Sequence, residues 1–239
     1  MNANLRSTSA VLGFPRIGPQ REVKKALEAY WGDKISAEEL LKVAKEQRLN
    51  TYATIKEQGV DFVPTGTFSL YDHVLDMSNT LGIIPEAYAT SGLSQLDTYF
   101  AMARGHQKGG VDLPATEMKK WFDSNYHYLV PEFSEKSEFK LNDNKPVDDF
   151  IEAKEAGYNA RPVILGPLTL LWLGKTSKDA QDPNFNRYSL LPKLAQTYVQ
   201  LFEKLAAAGA PWVQLDEPIL VVDTAKPVSY THLTLPTKA

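Results

Sequence analysis

The 239-residue chain contains no cysteine, which excludes disulfides, thiolate nucleophiles and cysteine-ligated zinc within it. Long apolar runs are also missing: no stretch approaches the roughly 18 residues of a membrane-spanning helix, and residues 1–10 lack the apolar core of a secretory signal. Histidine is scarce, and no pair has the i, i+4 spacing of a helical zinc motif; the four are His73, His106, His127 and His232. We therefore expect a cytoplasmic protein with no membrane contact and no metal site in this chain.

A surplus of basic residues is absent too, because the formal net charge is −3. General nucleic-acid binders usually need excess Lys and Arg to neutralise phosphates, so this balance argues against nucleic acid as a partner. Any anion-binding site must therefore be local. The hydrophobic content of 43% is enough for the core of one large globular domain.

Short apolar runs alternate with helical patterns along the chain. The capping box formed by Ser36 and Glu39 predicts a helix that runs to about Gln58, with Gly59 as its left-handed stop, and a second apolar stripe predicts a helix over residues 190–208 that Gly209 ends. Buried parallel strands are predicted for residues 10–14, 62–66, 162–166 and 212–215.

This alternation predicts an α/β fold with a parallel sheet, either doubly wound or a barrel. We favour a (β/α)8 TIM-type barrel that is truncated before completion, because four or five strand candidates are visible where a closed barrel needs eight. Residues 117–128 predict an amphipathic helix start that runs into an aromatic strand. The polar residues 143–148 and 176–186 predict surface loops.

Basic side chains concentrate directly after the first predicted strand. Residues 16–25 contain four cations and one acid, Glu22, so their net charge is four minus one, or +3. Pro19 is suited to the first position of a helix. Each cation at a helix N-terminus lowers stability by roughly 0.3 to 1 kcal/mol, because it opposes the helix dipole. A bound carboxylate or phosphate would explain why cations stand there. The alternative is a basic face that is simply solvated. The cations are Arg16, Arg21, Lys24 and Lys25.

Several long motifs resemble the cobalamin-independent methionine synthases, and together they cover nearly all of residues 11–223. The opening signature Leu-Gly-Phe-Pro-Arg-Ile-Gly, followed by Arg-Glu-Val-Lys-Lys, is the most specific of them. The motifs lie at residues 12–18, 21–25, 71–75, 117–128, 165–167, 173–175 and 214–218.

The resemblance implies a methyltransferase that moves a methyl group from 5-methyltetrahydropteroyl-triglutamate to homocysteine, using two face-to-face barrels, zinc and no cobalamin. In the family the zinc and homocysteine belong to the C-terminal barrel, which would be the partner in cis of this N-terminal barrel in a monomeric full-length enzyme. This chain alone is then expected to be inactive and to hold no catalytic residue. The resemblance assigns the folate triglutamate to Arg21, Glu22, Val23, Lys24 and Lys120.

On this interpretation the chain divides into three segments. Residues 1–10 form a flexible N-terminus and residues 11–227 an incomplete N-terminal barrel. Residues 228–239 depart abruptly from the family pattern and are interpreted as a non-native tail.

The residues alone leave two other functions open. A non-catalytic barrel module that binds polyanions or folate would use the same basic turn. A carboxylate-pair hydrolase would rest on Asp216 and Glu217 after the last predicted strand, but neighbours on a strand face opposite sides. We interpret that pair as a structural relic of duplication, since Val222 stands where the family's catalytic barrel has a further acid.

Overall fold

The computed structural model describes residues 7–223, so the predicted tail at 228–239 and most of the predicted N-terminal segment lie outside the described residues. The α-helices in this range are α1 (Glu22–Trp31), α2 (Ala37–Glu57), α3 (His73–Thr80), α4 (Glu86–Ala89), α5 (Gln95–Arg104), α6 (Lys145–Glu155), α7 (Pro167–Leu173) and α8 (Leu191–Ala208). The strands are β1 (Val63–Thr65), β2 (His106–Lys108), β3 (Val111–Leu113), β4 (Met118–Lys120), β5 (His127–Leu129), β6 (Glu132–Phe133), β7 (Ala160–Leu165), β8 (Lys175–Thr176) and β9 (Gln214–Asp216). Short 3-10 helices cover Arg187–Leu190 and Pro218–Val221.

Three of the predicted strands form one parallel sheet in the order β1-β7-β9. The central strand β7 is buried along its whole length, as a strand with helices on its faces should be. The predictions for residues 62–66, 162–166 and 212–215 and for a mixed α/β fold are therefore confirmed. The strand predicted at residues 10–14 is wrong, because that run contributes only a single parallel bridge between Ala10 and Phe62.

The two long helices end where the sequence predicts. In α2 both hydrogen bonds of the capping box form: the Glu39 N–H donates to Ser36 Oγ at 3.2 Å, and the Ser36 N–H donates to Glu39 Oε2 at 2.7 Å. Gly59 and Gly209 follow α2 and α8 with φ of 79° and 92°, a left-handed conformation that glycine adopts without strain.

The helix that follows the basic turn begins later than predicted. Pro19 is not the first residue of a helix, because a turn closed by the Arg21 N–H and the Gly18 carbonyl at 3.0 Å precedes α1. Arg21 takes a left-handed φ of 63°, and α1 begins at Glu22. The cations of this segment therefore straddle a turn and the first helical turn.

The helix start predicted within residues 117–128 is wrong, whereas the strand predicted to follow it is confirmed by β5. These residues belong to an antiparallel hairpin in which Met118 pairs with Leu129 and Lys120 pairs with His127. The connecting loop closes through the Trp121 N–H, which donates to the Tyr126 carbonyl at 2.6 Å. The loop predicted at residues 143–148 is wrong from Lys145 onward, because α6 begins there. The loop predicted at residues 176–186 is confirmed for residues 177–186, which contain no helix or strand.

Buried apolar side chains gather in two clusters. One surrounds β7 and the inner faces of α6 and α8, with Phe133 and Leu201 completely buried. The other lies between α1, α2 and α5, where Val23 and Leu40 are buried. Because full burial of such a side chain contributes roughly 1.5 to 3 kcal/mol, Val23 anchors the helix that carries the basic turn.

The carboxylate of Asp72 joins two elements inside the protein. It accepts the N–H groups of Val74 at 2.7 Å and Leu75 at 3.3 Å, which caps α3, and the N–H of Leu129 at 3.0 Å, which holds β5. Asp72 is 1% exposed. Burial raises the pKa of Asp72 to about 7, against the opposing effect of these three donors.

Replacement of Asp72 should lower stability in a pH-dependent way. Because its pKa is higher in the folded chain than the ordinary 3.8, the folded state binds the extra proton, and the free energy of unfolding should fall as pH rises from about 4 to about 7. Asp72→Asn should flatten this part of the profile. Asp72→Ala should cost about 2 to 4 kcal/mol, from a lost cap and an unpaired N–H of Leu129. Urea unfolding between pH 4 and 8 measures both effects, and equal pH slopes for wild type and Asp72→Asn would contradict the assignment.

Candidate functional site

A cavity of about 630 Å3 opens at the carboxyl ends of the three parallel strands. Gly66 and Thr67 line it directly after β1, Leu165 ends β7 beside it, and Asp216 ends β9. Ligand sites in parallel α/β folds are built at this edge, since loops there converge without interrupting the sheet. Its position makes this cavity the first candidate site.

Arg16 forms one wall of this cavity and lacks a counter-ion. Its guanidinium donates to the Tyr71 carbonyl and, at 3.4 Å, to the Tyr126 hydroxyl. Within residues 7–223 it makes no ion pair, and its buried Nε has no hydrogen-bond partner. A partly buried cation without an acid partner is costly, so an anion bound nearby would stabilise it.

Aromatic rings cover the same wall. The His73 ring lies 4.4 Å from the Trp121 ring and 5.7 Å from the Tyr126 ring. Burial, assisted by the charge of Arg16, lowers the pKa of His73 to about 4. His73 is therefore neutral near pH 7 and leaves Arg16 as the charged group of this wall.

Two further charged groups on the cavity wall are internally neutralised. Lys145 Nζ lies 2.6 Å from Asp149 and 3.5 Å from Asp76, and Asp76 also accepts the Tyr99 hydroxyl at 2.6 Å. Burial alone would lower the pKa of Lys145, but the two carboxylates raise it above its ordinary value. Sequence analysis missed Asp76 and Lys145; the only local signal for Asp76 was an acid placed between apolar residues of a helix.

A second, shallower depression of about 360 Å3 lies on the other side of Arg16 and Tyr126. It combines residues of α1 with residues of the β4–β5 hairpin. We call it the Lys24 depression; its lining includes Arg16, Lys24, Glu28, Trp31, Tyr71, Met118, Tyr126 and His127.

The predicted folate residues of the basic turn differ in accessibility. Arg21 is exposed and makes no ion pair within the described part of the chain, and Lys24 makes an exposed pair with Glu28 at 3.5 Å. Glu22 accepts the Gln20 N–H at 3.0 Å and so braces the turn. The Val23 side chain is 1% exposed, which leaves only its backbone for contact with a ligand.

Lys120 borders the same depression from the hairpin. Side chains alternate along a strand, so Lys120 shares a face with Met118, which lines the depression, as does its cross-strand partner His127. Lys119 faces the other way and pairs with Glu117 at 3.4 Å. Lys120 is exposed and has no ion pair among residues 7–223; it is not itself a lining residue of the depression, although its neighbours Met118 and His127 are.

The adjacent acids at the end of β9 are already engaged. The Glu217 carboxylate accepts the N–H groups of Leu168 at 2.9 Å and Thr169 at 2.7 Å, and the Thr169 hydroxyl at 2.6 Å, which caps α7. Burial raises the pKa of Glu217, against these three donors. Asp216 accepts from Gln214 Nε2 at 2.6 Å. The pair therefore lacks the opposed, free carboxylates of a glycosidase.

Two further kinds of feature are absent from the described residues. Residues 7–223 contain no group of three or more His, Cys, Asp or Glu side chains arranged to hold a metal ion. No helix in that range has both the length and the apolar character needed to cross a membrane.

Comparison with known proteins identifies the family. Residues 8–234 match the family model described as cobalamin-independent synthase, N-terminal domain. The chain belongs to this family.

Three curated relatives of this synthase domain are named for the same activity. A probable 5-methyltetrahydropteroyltriglutamate–homocysteine methyltransferase of Schizosaccharomyces pombe is 55% identical over 221 residues, which are 90% of this chain and 28% of that protein. The methyltransferases of the same name from Saccharomyces cerevisiae and Candida albicans are 53% and 51% identical, over 90% and 92% of this chain. The synthase domain spans 29% and 30% of their lengths.

The structural role of Glu217 in this synthase domain can be tested through Gly166. A Cβ at Gly166 would overlap the Glu217 carboxyl group, although the backbone φ of −76° suits any residue. Gly166→Ala should therefore displace the cap of α7 and cost about 1 to 3 kcal/mol of unfolding free energy.

A double-mutant cycle provides the control. The cost of Gly166→Ala should shrink by more than about 0.5 kcal/mol in a Glu217→Ala background, because the colliding carboxyl group is then absent. Chemical denaturation of the four proteins measures the coupling. Additive effects would show that Glu217 does not act through this contact.

Proposed function

We propose that this chain is the folate-polyglutamate-binding, N-terminal part of a methyltransferase that transfers a methyl group from 5-methyltetrahydropteroyl-triglutamate to homocysteine and so makes methionine. The observation that carries the proposal is the set of cations on and beside α1 and the β4–β5 hairpin that make no ion pair within residues 7–223, namely Arg16, Arg21 and Lys120. A triglutamate tail supplies several carboxylates, and the names of the relatives specify that substrate.

The arrangement of charge supports an anionic ligand over a solvated basic face. Arg21 and Lys120 come from elements that are distant in sequence, yet neither is neutralised by an acid of the described chain. A charge-assisted hydrogen bond contributes roughly 1.5 to 3 kcal/mol where water is partly excluded. The partly buried Arg16 lies between this surface and the first cavity and adds a third unpaired cation.

The parallel sheet supports the wider architectural proposal. We propose that β1, β7 and β9 are strands of a (β/α)8 barrel. The cavity at their carboxyl ends would then be the mouth of that barrel.

The chemistry is proposed to belong to the portion of the longer relatives that this chain does not cover. Zinc, homocysteine and the C-terminal barrel would act there, and cobalamin would take no part. In this chain, the residues proposed to contact the folate tail are Arg21, Glu22, Val23, Lys24 and Lys120, and none is catalytic. Their role is to hold and orient the substrate.

Lys120→Ala should weaken binding of 5-methyltetrahydropteroyl-triglutamate by roughly 10-fold or more, since one charge-assisted contact is lost. Binding of the monoglutamyl compound should change much less, because it lacks the distal carboxylates. Isothermal titration calorimetry with both compounds measures the difference.

Lys119→Ala is the matched control, because Lys119 is adjacent, exposed and directed to the opposite face. It should leave both affinities unchanged within about twofold. If Lys120→Ala weakens the two compounds equally, the tail contact is wrong.

The alternative is a non-catalytic module that binds polyanions. The net positive charge of the basic turn is the observation that favours it. Titration with an unrelated polyanion of equal charge separates the two, since a nonspecific basic surface should not prefer the folate.

A further inference from the structure

A third cavity, of about 660 Å3, lies beyond the C-terminal end of α1. The end of α5 and the β2–β3 hairpin form its other walls. We call it the distal cavity. No motif of the sequence pointed to it, because its walls come from two stretches that are far apart in the chain, residues 30–39 and 97–108.

Every acid that lines the distal cavity already has a partner. Asp33 pairs with Lys108 at 2.6 Å. Glu39 accepts the Ser36 N–H of the capping box, and Asp97 accepts the Tyr30 hydroxyl at 2.7 Å. Each of these carboxylates is therefore held by a donor of the protein itself, and Asp33 is held by a cation.

The unpaired groups of the distal cavity are all donors. The Arg104 guanidinium lies over the Trp31 ring at 3.7 Å from its centre, which fixes its position. In the described part of the chain, Arg104 and Lys34 form no ion pair or side-chain hydrogen bond, and the buried Trp31 Nε1 has no acceptor. Fixed donors without acceptors are complementary to an anion.

The distal cavity neighbours the Lys24 depression, and the Trp31 side chain lines both. Lys24, Glu28 and Trp31 are spaced i, i+4 and i+7, so they share one face of α1. Seven residues of helix correspond to about 10 Å. Burial raises the pKa of Tyr71 in the depression, and the charge of Arg104 opposes the rise, which places Arg104 near that surface as well.

We propose that the distal cavity binds α-carboxylates of a γ-glutamyl chain that extends beyond the groups held near Lys24 and Lys120. This inference rests on the proposed function and names a second subsite of the same substrate, with Arg104 and Lys34 as its cations. An extended chain would follow the exposed face of α1 over Trp31. Glu28 is an acid on this path, and its pairing with Lys24 at 3.5 Å reduces its repulsion of a carboxylate.

The test compares mono-, tri- and pentaglutamyl 5-methyltetrahydropteroate by calorimetry. Wild type should bind the pentaglutamyl compound on the order of tenfold more tightly than the triglutamyl compound, as one further charge-assisted contact would give. Arg104→Gln combined with Lys34→Gln should remove that gain while the mono- and triglutamyl affinities stay within about twofold. Retained monoglutamyl affinity shows that the variant is folded.

Two variants serve as controls for charge. Lys56→Gln removes an exposed lysine twenty residues along α2 from Ser36, about 30 Å away, and should change no affinity. Arg104→Lys keeps the positive charge but loses the planar fork, so it should retain part of the gain.

Three results would overturn the inference: no gain from three to five glutamates in wild type, an equal loss for all chain lengths in the double variant, or an equal loss in Lys56→Gln. Failure of the proposed function is a different result. It would appear as no preference for the triglutamyl over the monoglutamyl compound and no effect of Lys120→Ala, whereas failure of the distal subsite leaves both of those intact.

Discussion

The buried carboxylate of Asp72 is the contact on which the arrangement of the ligand-facing groups depends. It caps α3 and holds the N–H of Leu129, so the β4–β5 hairpin lies where α3 places it. That hairpin carries Lys120 at its edge and the rings of Trp121 and Tyr126 in its loop. A buried carboxylate that accepts three hydrogen bonds resists displacement. These buried hydrogen bonds therefore fix the position of the hairpin and of the surface groups that it carries.

Paired and unpaired charges have different roles in this chain. Arg48 makes a two-point contact with Glu152 at 2.7 and 2.9 Å, and Lys145 lies between Asp149 and Asp76, so the interior pairs join α2, α3 and α6. A buried cation is costly unless it is neutralised in this way. Among the cations that form no ion pair within residues 7–223, Arg161 is buried and donates to Gln214 and the Val11 carbonyl. Others lie at the surface or on cavity walls, including Arg16, Arg21, Lys34, Arg104 and Lys120.

The elements that could be predicted are those whose signal is local. The apolar runs of β1, β7 and β9 and the capping box of α2 are properties of a few adjacent residues. The hairpin at residues 118–129 was mistaken for a helix start because its Lys and aromatic residues suit both structures, although Asp123, Ser124 and Asn125 are typical turn residues. The resemblance supplied Lys120, but Asp76, Lys145 and Arg104 could not be predicted, because their significance depends on partners brought together from distant segments.

The carboxyl edge of the sheet indicates what kind of work this chain can do. A catalytic carboxylate needs a free oxygen directed at the substrate, and Glu217 gives both of its oxygens to the cap of α7, whereas Asp216 lines the cavity and accepts from Gln214 through Oδ1. The unengaged charges around the cavities are instead cations, and cations fixed by aromatic rings and backbone carbonyls recognise anions without reacting with them. Within the described residues, the cations on the cavity walls therefore favour the binding of an anion.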